Sequence, residues 1–338
     1  MRPSLFTLIV YAHESPRAQY LVGMAQRVME RFPARLITIA IGDVGSGWNK
    51  EEKVLEIDGG GILCERIAFR ASPEEAERLP SMIIPRLLPD LPIYLLYGAD
   101  PIERLVMIDD IVTLSDRVIF DSESAHELSP FVEQALGYHR EGRRDIADLN
   151  WARTEGWRHL LGEIFSSQED ILQVEAIDHI EVQYNAKESC TLNHTRLQAF
   201  YLLSWLRNQL GWQPCDVDSD AEGLSIFYSE GKRGRLIAQF RPEEPPGRIH
   251  RVAITTQTGW SYALVREAGV CEQIMFYRSA PESCYLPHHI LLQQEENHTL
   301  LKEIRHQGTD VHYLQLLHSL RQIDEIIRRK DGISPLLE

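Results

Sequence analysis

The sequence predicts an α/β protein of two domains, the first built on a mostly parallel sheet and the second an α+β domain with an antiparallel sheet. Three observations carry this expectation. Short apolar runs alternate with helix-length amphipathic stretches through the first half, the rhythm of β-α-β units. In the second half, strand-like runs follow one another across close turns, which favours antiparallel pairing. The chain has 338 residues, more than one ordinary domain holds. The polar stretch Ser166-Ser167-Gln168-Glu169-Asp170 marks a boundary, giving domains 1–167 and 168–338.

In order, the run from Leu5 to Tyr11 is short, apolar and rich in β-branched and aromatic residues, so it reads as a buried strand. Pro16 opens a helix over 17–31 whose Leu21, Met24, Ala25 and Val28 share one face. Leu36 to Ile41 is a second strand, followed by a glycine-rich loop from Gly42 to Asn49. Gly59-Gly60-Gly61 turns the chain into a strand over 62–69. Ser72 and Glu75 make a capping box for the next helix. Strands at 93–97 and 118–120, with helices at 102–111 and from Ser124 to Leu136, complete a Rossmann-like sheet covered on both faces.

In the second half, Ile180 to Tyr184 alternates like a half-exposed strand. A helix from Thr195 to Leu210 stops at Gly211 and is apolar nearly all round, which makes it central and buried. Strands between Leu224 and Phe276 are separated by Glu230-Gly231, Pro245-Pro246-Gly247, Thr258-Gly259 and Ala268-Gly269. Two helices, 291–305 and 310–328, close the chain.

A parallel sheet invites a dinucleotide, and that fold places G-x-G-x-x-G where the first strand meets the first helix. Here the junction reads Ala12-His13-Glu14-Ser15-Pro16. No glycine lets the backbone approach a pyrophosphate, and Glu14 repels one. The first domain is therefore expected to lack a dinucleotide fingerprint, and no cofactor is expected. The His13-Glu14 pair still sits where open α/β sheets bind ligands. A sugar-phosphate- or nucleotide-dependent enzyme using that edge is the alternative function. No G-x-S-x-G, H-E-x-x-H or paired-cysteine motif occurs. The histidines from His288 to His318 lack metal-ligand spacing. No catalytic residue and no metal are therefore expected.

Composition narrows the partners. Lys+Arg 35 against Asp+Glu 50 gives a net charge of −15, which argues against nucleic acid and anionic membranes. No run approaches the length of a membrane span. The 5 cysteines form no disulfide or zinc spacing, as in a reducing compartment, so a cytoplasmic protein is expected.

The densest constellation is Asp148-Leu149-Asn150-Trp151-Ala152-Arg153, running on to Trp157-Arg158. Large aromatics with arginine are what interfaces and buried networks use. On a helix starting near Asn150, with Asp148 or Asn150 as N-cap, Trp157, Leu160, Leu161 and Ile164 fall on one core-facing stripe. Arg153 lies four residues before Trp157, so it points the same way and needs an acid. Asp121 is its natural partner and Asp148 the second. The expected structural network is thus Asp121, Asp148, Arg153 and Trp157. Trp151 and Arg158, seven residues apart, share a different face and are the partner-binding candidates.

Several segments in fixed order carry a family resemblance. They are Arg2, Phe32-Pro33-Ala34-Arg35, Asp90-Leu91-Pro92, Asp116-Arg117-Val118-Ile119-Phe120-Asp121-Ser122 and the Asp148-to-Arg158 segment. Leu203-Ser204-Trp205-Leu206 and Leu300-Leu301-Lys302-Glu303-Ile304, followed by Asp310 and Tyr313, extend the series. Across nearly its whole length the chain resembles the OpcA family, the glucose-6-phosphate dehydrogenase assembly proteins. The resemblance implies a two-domain α/β architecture, no enzyme activity and glucose-6-phosphate dehydrogenase as partner. It implies an allosteric activator that favours the active oligomer of that enzyme at the entry of the oxidative pentose phosphate pathway.

Overall fold

The computed structural model describes residues 5–42, 49–57, 62–88, 90–103, 105–142, 144–267, 273–291 and 299–331. The loop at 43–48, the Gly59-Gly60-Gly61 turn, the Ala268-Gly269 turn, Arg2 and His298 lie outside the described residues. The order begins β1 (Thr7–His13), α1 (Pro16–Arg31), β2 (Arg35–Ile41), β3 (Asn49–Ile57), β4 (Ile62–Ala71), α2 (Leu79–Ile83), β5 (Ile93–Gly98), α3 (Val106–Leu114), β6 (Arg117–Phe120), α4 (Leu128–Gly142) and β7 (Asp145–Asp148). It continues α5 (Leu149–Arg153), α6 (Glu155–Ile164), α7 (Gln168–Val174), β8 (Ile177–Asn185), α8 (Leu197–Gln209), β9 (Pro214–Asp220), β10 (Gly223–Tyr228) and β11 (Arg233–Gln239). Then come β12 (Ile249–Thr256), β13 (Ser261–Arg266), β14 (Gln273–Ala280), β15 (Ser283–Cys284), β16 (His288–Leu291), α9 (Thr299–Arg305) and α10 (Val311–Asp331).

The chain divides into two compact units. Unit 1 comprises 1–126, 133–152 and 296–310, and unit 2 comprises 127–132, 153–295 and 311–338.

Unit 1 holds a sheet of order β3-β4-β2-β1-β5-β6-β7. Six strands are parallel, and β3 alone runs antiparallel on the β4 edge. The chain winds outward from β1 through β2 to β4, then returns and winds the other way from β5 to β7. That leaves a topological switch point between β1 and β5, the Rossmann arrangement. Leu8, Ile9, Val10 and Tyr11 are all buried, so β1 is apolar without alternation. On α1, Leu21, Met24, Ala25 and Val28 pack with Phe6, Leu8, Val10, Leu36 and the α9 residues Leu300, Leu301 and Ile304. Arg117 ties α9 to the sheet, pairing with Glu303 at 2.7 Å and donating to the Gly308 carbonyl.

Strands β3 and β7 are absent from the sequence reading. Each lacks a periodic apolar run, since β3 is NKEEKVLEI and β7 spans 4 residues. The capping-box helix after Ser72 is reduced to a 3-10 turn and the 5-residue α2. A second 3-10 turn holding Pro85 follows, because proline cannot continue the α-helical ladder. Ser124 does not cap α4. Its hydroxyl instead donates to the carbonyls of Ala99 and Asp121.

Unit 2 holds a nine-stranded sheet of order β15-β14-β13-β12-β8-β11-β10-β9, with β16 also on β14. The expected antiparallel sheet is mixed, because β8 and β11 pair in parallel. Helix α8 and the β9–β10 hairpin lie between them in the chain and supply the long crossover that parallel neighbours require. Helix α8 is buried on nearly every side, and Gly211 beyond it adopts φ +66. Along β12 and β13 buried residues alternate with half-buried ones, the signature of one covered face.

Gly98 ends β5 where α1 crosses the sheet. A Cβ there would lie 2.3 Å from Leu21 Cδ1 and 3.2 Å from the Tyr11 carbonyl. Leu21 is fully buried and cannot swing away. Gly98→Ala is expected to destabilise the fold by about 1–3 kcal/mol, read from urea midpoints.

Candidate functional site

The carboxyl ends of β1, β5, β6 and β7 meet beside the switch point, where open α/β sheets hold ligands. At the β1–α1 turn, Ser15 caps the helix by accepting from the Ala18 N–H at 3.1 Å. The Gln19 N–H goes to the Ser15 carbonyl, and Pro16 has no N–H to offer. The amides a pyrophosphate would need are therefore largely absent or taken. The Glu14 carboxylate lies over Gly42, with its Oε2 only 2.8 Å from where a Cβ would stand. The residues present do not fit a dinucleotide at this turn.

Behind the turn, Arg17 points inward from the first turn of α1 and is 5% exposed. Its Nε donates to Asp121 Oδ2 at 2.7 Å and its Nη2 to Oδ1 at 2.6 Å, a bidentate pair with a fully buried carboxylate. Burial opposes the guanidinium charge, but Asp121, its hydrogen bond and Glu123 hold the Arg17 pKa above its ordinary value.

A second layer joins β6 to β7. Asp148 Oδ1 accepts from Ser122 Oγ at 3.0 Å, from the Asn150 N–H at 2.6 Å and from the Trp151 N–H at 3.2 Å. Asn150 Nδ2 reaches back to Ser122 Oγ at 2.9 Å and Glu123 Oε1 at 3.0 Å. Asp121, Ser122, Glu123, Asp148 and Asn150 are all fully buried. Burial pushes the Asp148 carboxyl up to about 7; its three hydrogen bonds lower it and the Asp121 charge raises it further.

Nearer solvent, His13 Nδ1 lies 3.2 Å from Glu103 Oε2, and His126 Nδ1 lies 2.7 Å from Asp100 Oδ2. Below them Tyr11, Tyr97 and Phe120 stand side by side across β1, β5 and β6, with centroids 5.3 and 5.7 Å apart. Among the described residues no group of three His, Cys, Asp or Glu side chains is arranged to hold a metal.

The residues singled out from sequence divide. Asp121 and Asp148 belong to the buried layers, but Arg17 occupies the carboxylate expected to meet Arg153. The expected single helix is broken, since α5 ends at Arg153 and α6 begins at Glu155. The seven-residue phase linking Trp151 to Arg158 therefore does not run through. Trp151 is 3% exposed and donates its indole N–H to Asp310 Oδ2 at 3.0 Å, which makes it an internal anchor rather than an outward contact. Arg153, which ends α5, is half-buried. Half-buried Arg158 donates to Thr154 Oγ1 at 2.6 Å. Trp157 is buried with Leu160, Leu161 and Ile164, its ring 5.6 Å from the Arg266 guanidinium. Sequence reasoning missed Arg17 and Glu123, and gave Asp310 only as part of the family resemblance. For Arg17 a signal existed, because positions 17, 21, 24 and 28 share one helical face.

Arg17→Met strands a buried carboxylate and is expected to cost about 3–5 kcal/mol. The double change Arg17→Met, Asp121→Asn is expected to recover part of that loss, as a double-mutant cycle in urea will read. For Asp148, the folded carboxyl keeps its proton from the ordinary value of 3.8 up to about 7. The stability it contributes is full at the low end and lost as pH rises through about 7, by roughly 4 kcal/mol at about 1.4 per unit. Between pH 5 and pH 8 the urea midpoint should fall. Asp148→Asn, which keeps the accepting oxygen, should flatten that slope, and equal slopes in both proteins would refute the assignment.

Comparison with known proteins follows the same lines. Residues 25–135 match the OpcA family pattern described as glucose-6-phosphate dehydrogenase subunit N-terminal domain, and 144–317 match the corresponding C-terminal domain. A Synechocystis relative named OxPP cycle protein OpcA is 31% identical over 153 residues, covering 45% of this chain and 30% of the relative. One of the same name from Nostoc punctiforme is 26% identical over 183 residues, covering 51% of this chain and 36% of the relative. Each match thus spans about a third of the relative's length. Among solved structures, the UDP-N-acetylglucosamine 3-dehydrogenase GnnA of Acidithiobacillus ferrooxidans aligns with TM-score 0.52 at 9% identity, over 98% of this chain and 99% of that one. Biliverdin reductase of Synechocystis aligns with TM-score 0.54 at 9% identity, over 95% and 98%. At such identity the likeness to these two structures shows the fold alone. The family matches cover both halves of the sequence, and the chain belongs to the OpcA family.

Proposed function

We propose that this protein is a non-catalytic partner of glucose-6-phosphate dehydrogenase that binds the enzyme and favours its active oligomer. One observation carries the reading: the turn that would cradle a dinucleotide is sealed by Glu14, Ser15 and Pro16 and backed by the Arg17–Asp121 pair. The Rossmann frame here is locked by internal ion pairs, a rigid support for an interface. Family membership supports the choice of partner. In physical terms the protein binds the active oligomer better than the alternatives and shifts the population toward it. No membrane or nucleic-acid partner enters the reading, and no described helix is long and apolar enough to cross a membrane. Half-buried Arg158 remains a proposed contact, whereas Trp151 serves inside.

The second reading, an enzyme acting on a sugar phosphate or nucleotide, draws on the His13–Glu103 and His126–Asp100 pairs at the sheet's carboxyl edge. Mixing the purified chain with its cognate glucose-6-phosphate dehydrogenase separates the two. Co-elution, a larger sedimenting species and a higher dehydrogenase rate are expected, with no thermal shift of the chain alone across NAD(P) and sugar phosphates. Unchanged rate and separate elution reject the partner role, and a metabolite-induced shift favours the enzyme.

A further inference from the structure

The outer edge of the unit 2 sheet is interrupted. Strands β15 and β16 both pair with β14, and the residues between them, Tyr285, Leu286 and Pro287, bulge out of the ladder. Leu286 is 90% exposed, a large unfavourable exposure for an apolar side chain. Beneath it lies a cavity of about 230 Å³ lined by Asp170, Phe276, Arg278, Tyr285, Leu286 and His288. That is below the range of roughly 300–1,000 Å³ for small-molecule sites and suits one side chain.

The wall is pre-ordered. The Arg278 guanidinium stands 4.3 Å from the Tyr285 ring and 4.9 Å from the Trp260 ring. Its Nη2 pairs with Glu169 at 2.6 Å and its Nε with Asp170 at 3.0 Å. Tryptophan, tyrosine and arginine held rigidly beside a pocket are the composition of binding hot spots. The same α7 helix that supplies Asp170 exposes Ile171 and Leu172. One arginine faces two carboxylates here, and exposed Glu282 stands on the β14–β15 turn that leads to Leu286 in sequence. Phe276, Leu286 and the Tyr285 ring form the apolar part of the wall, and Asp170, Arg278 and His288 line the rest. One arginine against two carboxylates leaves excess negative charge, so a positively charged surround on the partner complements it.

We propose that this corner receives one apolar side chain from a lysine- or arginine-bearing segment of a folded protein partner. The inference rests on the partner-protein reading above and names the surface that carries it, with the dehydrogenase as the partner to test. Both key residues are exposed, so Leu286→Asp and Glu282→Lys should keep the wild-type melting temperature. Affinity for the cognate dehydrogenase is measured for wild type and both variants at low and raised salt.

Leu286→Asp is expected to weaken binding at least about tenfold, the scale of a hot-spot loss. Glu282→Lys is expected to slow association severalfold, and wild-type binding to weaken with salt. If wild type binds and both variants bind equally well, this surface is refuted while the partner reading stands. If wild type fails to bind, the partner reading itself falls. If Leu286→Asp instead dissolves a self-dimer with dehydrogenase binding intact, the occupant is a second copy and the proposal is overturned.

Discussion

A buried charge must meet its counter-charge, and the Arg17–Asp121 pair is where unit 1 satisfies that demand. The contact spans 104 positions in sequence and joins the first turn of α1 to the end of β6. Around it the carboxyl edge of the sheet is arranged in order. Asp121 takes the arginine, Ser122 and Glu123 turn toward Asn150, and Asp148 gathers the start of α5. Each member is satisfied by the next, so removing one leaves an orphan in a low-dielectric interior.

The sheet keeps a frame that elsewhere holds dinucleotides, with a first turn whose residues do not fit one. The strand order and the switch point are intact. What differs is local chemistry: a proline where an amide would donate, a serine that takes the Ala18 amide for itself, and a carboxylate over the mouth. The fold is kept by apolar packing, which tolerates such changes. The site depends on a few backbone donors, and here Pro16 offers none while the Ala18 and Gln19 amides are used within the turn.

Much of this was legible in the sequence because burial leaves a local trace. β1, β2 and β5 were readable as continuous apolar runs, and α1 and α8 by their apolar faces and stops. The missing glycines at the first turn were equally plain. Strand β7 was not, because 4 residues hold no period. Nor was the helix break at Thr154, because no proline or glycine stands at the break itself and the nearby Gly156 lies inside α6. The same stripe argument that sent Arg153 toward Asp121 applies with equal force to Arg17, and only topology decides between them. The mixed second sheet was hidden for a similar reason: strand direction follows from crossovers, not from composition.

Residues 296–310 return to unit 1 after most of unit 2 has been laid down, and Arg117 finds Glu303 only 186 positions later. On the ribosome the first sheet therefore emerges with one flank of its core bare. Leu300, Leu301 and Ile304, which share a core cluster with Val10, Leu21 and Met24, follow only after residues 153–295 of unit 2 have been made. Long-range closure of this kind slows folding and leaves apolar surface exposed while it waits. The nascent chain is thus a natural client for chaperones, and fragments ending before α9 should be the ones that aggregate.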